Sequence, residues 1–83
     1  MIVYQVVQDH QGYIWMATAK GICQFDGKAF RYFKSPKFKD NEFIGLDVDS
    51  ENRVWFSNIS NQLFYIENEH IKELQYVANK YSK

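Results

Sequence analysis

The chain has 83 residues, 18% of them aromatic, with ten basic and ten acidic side chains and a formal net charge of zero. That length suits one small unit or part of a larger one, and the balanced charge offers no general attraction to nucleic acid or to an anionic membrane. A single cysteine, Cys23, excludes an internal disulfide framework and a thiolate metal site.

Strand signals dominate the chain. Val3 to Gln8 is rich in β-branched residues and ends at Asp9-His10-Gln11-Gly12, a polar tetrapeptide suited to a hairpin turn. Tyr13 to Thr18 reads as a second strand and Ala19-Lys20-Gly21 as a second turn. Ile22 to Phe25 is a third strand, followed by Asp26-Gly27, among the strongest short hairpin signals, and Ala29 to Phe33 is the fourth. The segment from Lys34 to Asn41 holds the only proline and a cluster of charges, and reads as a connection. Phe43 to Val48, Arg53 to Ser57, Leu63 to Glu67 and His70 to Gln75 then repeat the four strands, with Asn68-Glu69 as a less favourable tight turn. The tail from Tyr76 to Lys83 is polar.

This second half repeats the first. Asp9-His10-Gln11-Gly12-Tyr13-Ile14-Trp15 returns as Asp49-Ser50-Glu51-Asn52-Arg53-Val54-Trp55, and beyond the second Trp the register slips by one. A period near 40 residues built from short apolar strands belongs to repeat architectures such as propellers. Four antiparallel strands joined by tight turns make one propeller blade. The expectation is therefore an all-β chain of two four-stranded blades, 1–34 and 42–75, joined by 35–41 and followed by a tail at 76–83. Trp15, Trp55, Phe25, Phe30, Phe43 and Phe64 are expected to pack between blades, because stacking is how such sheets bury both apolar faces. A full propeller has typically about 4 to 8 blades, so two cannot close alone. Further blades, or other copies of the chain, are the expected partners.

The run Asp-x-x-Gly-x-Ile-Trp-Met-Ala-Thr-x-x-Gly-Ile-x-x-Phe-Asp, from Asp9 to Asp26, resembles the two-component regulator propeller repeat. The second repeat departs from the pattern: Asn52 stands for the turn Gly, Asn58 for Thr and Gln62 for the second Gly. The resemblance implies the periplasmic, ligand-sensing region of a membrane-bound histidine kinase, with oligosaccharides as the expected signal. The chain carries no kinase, receiver or DNA-binding motif, so no catalytic activity is expected of it. The competing expectation is a self-assembling structural protein whose copies complete a propeller or a sandwich.

Individual residues add little chemistry. His10 and His70 occupy non-equivalent positions, and Cys23 in an alternating strand reads as a small buried apolar group. Asp47-Val48-Asp49-Ser50-Glu51-Asn52 mimics the start of a calcium loop, but Asn52 replaces the needed Gly and Asn58 the terminal Glu. Neither a metal nor a cofactor is expected. Lys28 to Lys39 interleaves bases with aromatics, as single-stranded nucleic-acid binders do, although lysines on an outermost strand more simply block edge pairing. No apolar run approaches the roughly 18 residues of a membrane span. Met1 to Gln5 lacks the basic leader and apolar core of a signal peptide, which read literally implies the cytoplasm. Asp47, at the end of an inner strand, is a ligand-contact candidate, joined by the turn residues Asp9, His10 and Asp49. Propeller ligands meet loops at one mouth of the ring.

Overall fold

The structure, a computed structural model, describes residues 2–74; the tail expected at 76–83 and the end of the last strand at Gln75 lie outside the described residues. It is an all-β chain of two four-stranded antiparallel sheets. Blade 1 contains β1 (Val3–Gln8), β2 (Ile14–Thr18), β3 (Gly21–Phe25) and β4 (Phe30–Phe33), in that order across the sheet. Blade 2 contains β5 (Phe43–Val48), β6 (Val54–Asn58), β7 (Leu63–Glu67) and β8 (His70–Glu73), again in chain order. Each strand pairs with its sequence neighbour, so every hydrogen-bonded ladder is closed by a local turn. The repeat extends to an irregularity: β1 and β5 each shift register near their starts, between Val3 and Gln5 and between Phe43 and Gly45.

The first turn of each blade is built by one aspartate. Asp9 Oδ1 accepts the backbone N–H groups of Gln11 (2.9 Å) and Tyr13 (3.0 Å), and Asp49 Oδ1 those of Glu51 and Arg53, both at 2.9 Å. The fourth turn residue must adopt positive φ, which Gly12 (φ 94) and Asn52 (φ 62) both do. Asparagine tolerates the left-handed region through its short polar side chain, so it substitutes for the turn glycine without reshaping the loop.

The one-residue slip falls in the next turn. In blade 1, Thr18 pairs with Gly21 around Ala19-Lys20, and Thr18 Oγ1 both accepts from Lys20 N (3.0 Å) and donates to Gly21 O (2.8 Å). Blade 2 inserts a residue, so Ile59-Ser60-Asn61 form the loop, with Asn61 at φ 62. Asn58 takes the capping role of Thr18, its Oδ1 accepting from Ser60 N and Gln62 N, both at 3.1 Å. The departures from the repeat have further work. Gln62 donates to Lys37 O (2.9 Å) and accepts from Lys39 N (2.8 Å), while Asn58 Nδ2 donates to Asp40 O (3.0 Å). Together they fasten the connection between blades.

One apolar core lies between the sheets. Trp15, Ala17, Ile22 and Phe33 of blade 1 meet Phe43, Leu46, Val54, Phe56, Phe64 and Ile66 of blade 2. Phe38, from the connection, enters the same core with its ring edge-on to Phe43, Phe56 and Phe64, at centroid distances of 5.0, 6.0 and 4.7 Å. The aromatics of Lys28 to Lys39 are thus divided: Phe33 and Phe38 turn inward, whereas Phe30 is 60% exposed on the opposite face of blade 1. No single stacking strip forms along that segment.

Candidate functional site

The first and third turns of each blade share one end of the molecule, and between the blades at that end opens a cleft of about 340 Å³. Its blade 1 wall includes Asp9, Gln11, Tyr13, Trp15 and Gln24; its blade 2 wall includes Glu51, Asn52 and Glu67 to Glu69. Strand alternation explains the first wall: Trp15 and its cross-strand partner Gln24 project from one face of blade 1, toward blade 2. The two turns that frame the cleft are tied across the blades. His10 N donates to Asn52 Oδ1 (2.7 Å), and Arg31 Nη1 pairs with Glu69 Oε1 (2.6 Å) at the outer rim. At the inner strands, Gln5 Oε1 accepts from Leu46 N (2.8 Å) and Tyr4 donates its hydroxyl hydrogen to Glu42.

Asp9 stands at the base of the cleft, 8% exposed. Its Oδ2 accepts from the buried Trp15 indole N–H (2.8 Å), so one carboxylate shapes the turn and fixes the ring. Asp49 repeats this with Trp55 (2.8 Å) and adds Arg53, whose Nε lies 2.6 Å from Oδ2. The spacing Asp-x₅-Trp is therefore a structural clamp in both repeats, and it needs a residue that presents two acceptor oxygens.

Of the candidates, Asp9 and His10 lie by the cleft, on blade 1. Asp47 and Asp49 sit on the far side of blade 2, where Asp47 pairs across the strands with Trp55. Asp47 is exposed, with Oδ1 accepting from Val48 N (2.9 Å). Trp15, Phe43 and Phe64 enter the inter-blade core, whereas Phe25, Phe30 and Trp55 face outward from the pair of sheets. Phe25 and Phe30 stack on each other at 4.5 Å, and Trp55 lies 4.6 Å from Tyr65. The cross-blade residues Asn52 and Glu69, and Gln62 at the connection, carried no sequence signal except that each departs from the first repeat. Among the described residues no group of three or more His, Cys, Asp or Glu side chains gathers to hold a metal, and no helix is long and apolar enough to cross a membrane.

The electrostatics of these groups set a pH window. The Trp55 indole N–H and the Arg53 backbone N–H hold the Asp49 carboxyl well below its ordinary value of 3.8, and the Ala29 and Lys28 N–H groups lower Asp26 from the same value. A depressed carboxyl contributes stability that is present above pH 3.8 and lost as pH falls toward the folded value. In the opposite sense, donation to Glu42 raises the Tyr4 hydroxyl above 10.0, and burial raises the Cys23 thiol above 9.0. Those contributions are present below these values and fade as pH rises through the folded ones. The urea midpoint should accordingly be flat across neutral pH and fall at both extremes; a midpoint rising from pH 4 down to pH 3 would contradict the carboxylate assignments.

Residues 1–20 match the family model described as two component regulator propeller. No curated protein and no solved structure matches the chain. The matched stretch contains β1, the Asp9 turn, Trp15 and the Thr18 turn. The fold it belongs to is a four-stranded blade that occurs twice, so the class is a propeller-repeat protein. Within its first repeat, residues 1–20 are similar to the two-component regulator propeller family.

Proposed function

We propose that the chain supplies two blades of the ligand-sensing propeller of a two-component histidine kinase, facing the periplasm and responding to an oligosaccharide-type signal. It is a recognition element and performs no catalysis. The observation that carries this reading is the family match over residues 1–20, on a repeat that the structure shows as a complete blade.

The cleft supports the ligand class. Amides at Gln11, Gln24 and Asn52 offer donors and acceptors, Glu51 adds acceptors, and the Tyr13 ring supplies an aromatic face. Hydroxyl-rich ligands use such a mixture of fixed polar groups and aromatic faces. In this reading His10, exposed beside the cleft, is the candidate best able to turn toward a ligand, and Asp9 holds the loop that presents it, whereas Asp47 and Asp49 lie on the other side of blade 2.

Two measurements test the reading. Transcript mapping on both sides of the coding segment should reveal further repeats, a membrane span and a kinase in the same frame; a frame with none of these removes the kinase assignment. Calorimetric titration of the protein with neutral and acidic oligosaccharides should give saturable binding to one class. Uniform absence of heat and of thermal stabilisation would remove the ligand assignment.

A further inference from the structure

On the face of blade 1 that looks toward blade 2, a row of side chains runs outward from the core. Trp15 pairs across the strands with Gln24, and Gln24 with Arg31, so the three share that face. The row ends at the rim, where Arg31 reaches Glu69 of blade 2 at 2.6 Å and lies 4.4 Å over the Phe33 ring. Its middle member is uncommitted. Gln24 is half-buried, and among the described residues its side-chain amide makes no hydrogen bond. No buried side-chain polar atom among those residues lacks a partner, so the Gln24 amide faces open space.

A second hollow, of about 320 Å³, lies outside the cleft against blade 1. Asp26, Ala29 and Arg31 line it together with Tyr13, Gln24 and Glu69, and the last three also line the cleft. Two hollows with three residues in common form one groove with a narrow waist. At the waist stand Arg31, which lines the outer hollow, and Glu69, which lines both.

This closure is weakly held. The two side chains are 55% and 65% exposed, so water and salt screen their attraction. Glu69 also sits at φ 69, in the left-handed region that favours glycine. Strain of that kind persists where the surroundings enforce it, and it gathers at ligand clamps and switches.

We propose that the Arg31–Glu69 pair is a gate across one binding groove, and that its opening joins the cleft to the outer hollow at Gln24. For the ligand this rests on the oligosaccharide reading of the cleft. With the gate closed the cleft holds the end of a sugar chain. With it open, a linear chain runs outward past Tyr13 and Gln24. Gln24 then offers one donor group and one acceptor to the middle of the chain, and Tyr13 an aromatic face. A longer chain contacts the outer hollow only in the open form, so binding and opening favour each other.

The gate is tested without any sugar. Gln24→Cys places a thiol at the waist, and native Cys23, 0% exposed, is the unreactive control. Alkylation by the neutral reagent iodoacetamide then measures how often the waist is open. Added to Gln24→Cys, Arg31→Gln and Glu69→Gln should each accelerate alkylation about threefold, as expected for loss of an exposed ion pair. Sodium chloride at about 1 M should accelerate Gln24→Cys alone by a similar factor and leave both double variants unchanged. A change of local charge without gating gives a different pattern. Loss of the cation then disfavours the thiolate and slows alkylation, whereas loss of the carboxylate speeds it. Such opposite shifts, or rates unchanged in both variants, overturn the gate. The sugar titration decides the ligand class separately, so either reading can fail while the other stands.

Discussion

Phe64→Ala should lower the free energy of unfolding by about 4 kcal/mol, the middle of the range for deleting a fully buried aromatic ring. Phe64 is 0% exposed and lies within ring-contact distance of Phe38, Phe56 and Phe43, at 4.7, 5.6 and 6.5 Å. These rings come from β7, the connection, β6 and β5, and none can fill the space alone because their backbones are fixed by separate ladders. The loss therefore includes a cavity as well as transfer. Domains of this size have total stabilities of about 5–15 kcal/mol, so the variant should be partly unfolded at moderate temperature. Phe30→Ala supplies the contrast: its ring is 60% exposed and rests mainly on Phe25, so its effect should stay below about 1 kcal/mol. Urea denaturation followed by tryptophan fluorescence measures both. Equal losses would show that the core does not lie between the blades.

Asp9→Asn should cost about 2 kcal/mol although it changes neither size nor shape. The amide oxygen can keep the two turn bonds to Gln11 and Tyr13, but the amide nitrogen then meets the Trp15 indole N–H, donor against donor. Turning the amide over satisfies the indole and abandons the turn. Either way a buried donor loses its acceptor, and Trp15 is only 3% exposed, so water cannot replace it. Asp49→Asn should cost less, because its side chain is 25% exposed. A shift in Trp15 emission should accompany the loss in Asp9→Asn. A stability for Asp9→Asn equal to or above that of Asp49→Asn would sink the clamp.

The eight strands were legible because their causes are local. β-branched and aromatic runs bounded by Asp, Asn and Gly specify strand and turn within a few residues, and the observed bounds fall within one or two residues of those expected. The structural use of the repeat's Asp–Trp spacing was not legible. Asp9 and Asp49 read as loop acids open to a ligand, whereas both oxygens of each are engaged by the turn and the indole. Nothing in strand periodicity shows that a residue six positions away returns to the turn.

The sorting of side chains between faces was equally hidden. Ile14-Trp15-Met16-Ala17 is apolar at every position, so alternation does not reveal which face meets the other blade. The structure resolves this: Trp15 and Ala17 enter the core, and Trp55, at the same place in the second repeat, faces outward. Two identical positions differ because, among the described residues, blade 2 stands on that side of blade 1 and no strand stands on the same side of blade 2. The roles of Asn58 and Gln62 follow the same logic, since they hold a connection that passes over blade 2.

By itself the sequence determined two four-stranded blades and the tight turns within them, because hairpin pairing, turn chemistry and a 40-residue repeat act between neighbours in the chain. Only the tertiary structure decided which of two apolar faces each blade buries, which carboxylates are consumed in clamps, and where the cleft opens. Those outcomes depend on what stands across an interface roughly 40 residues away in the chain, and local pattern carries no record of it.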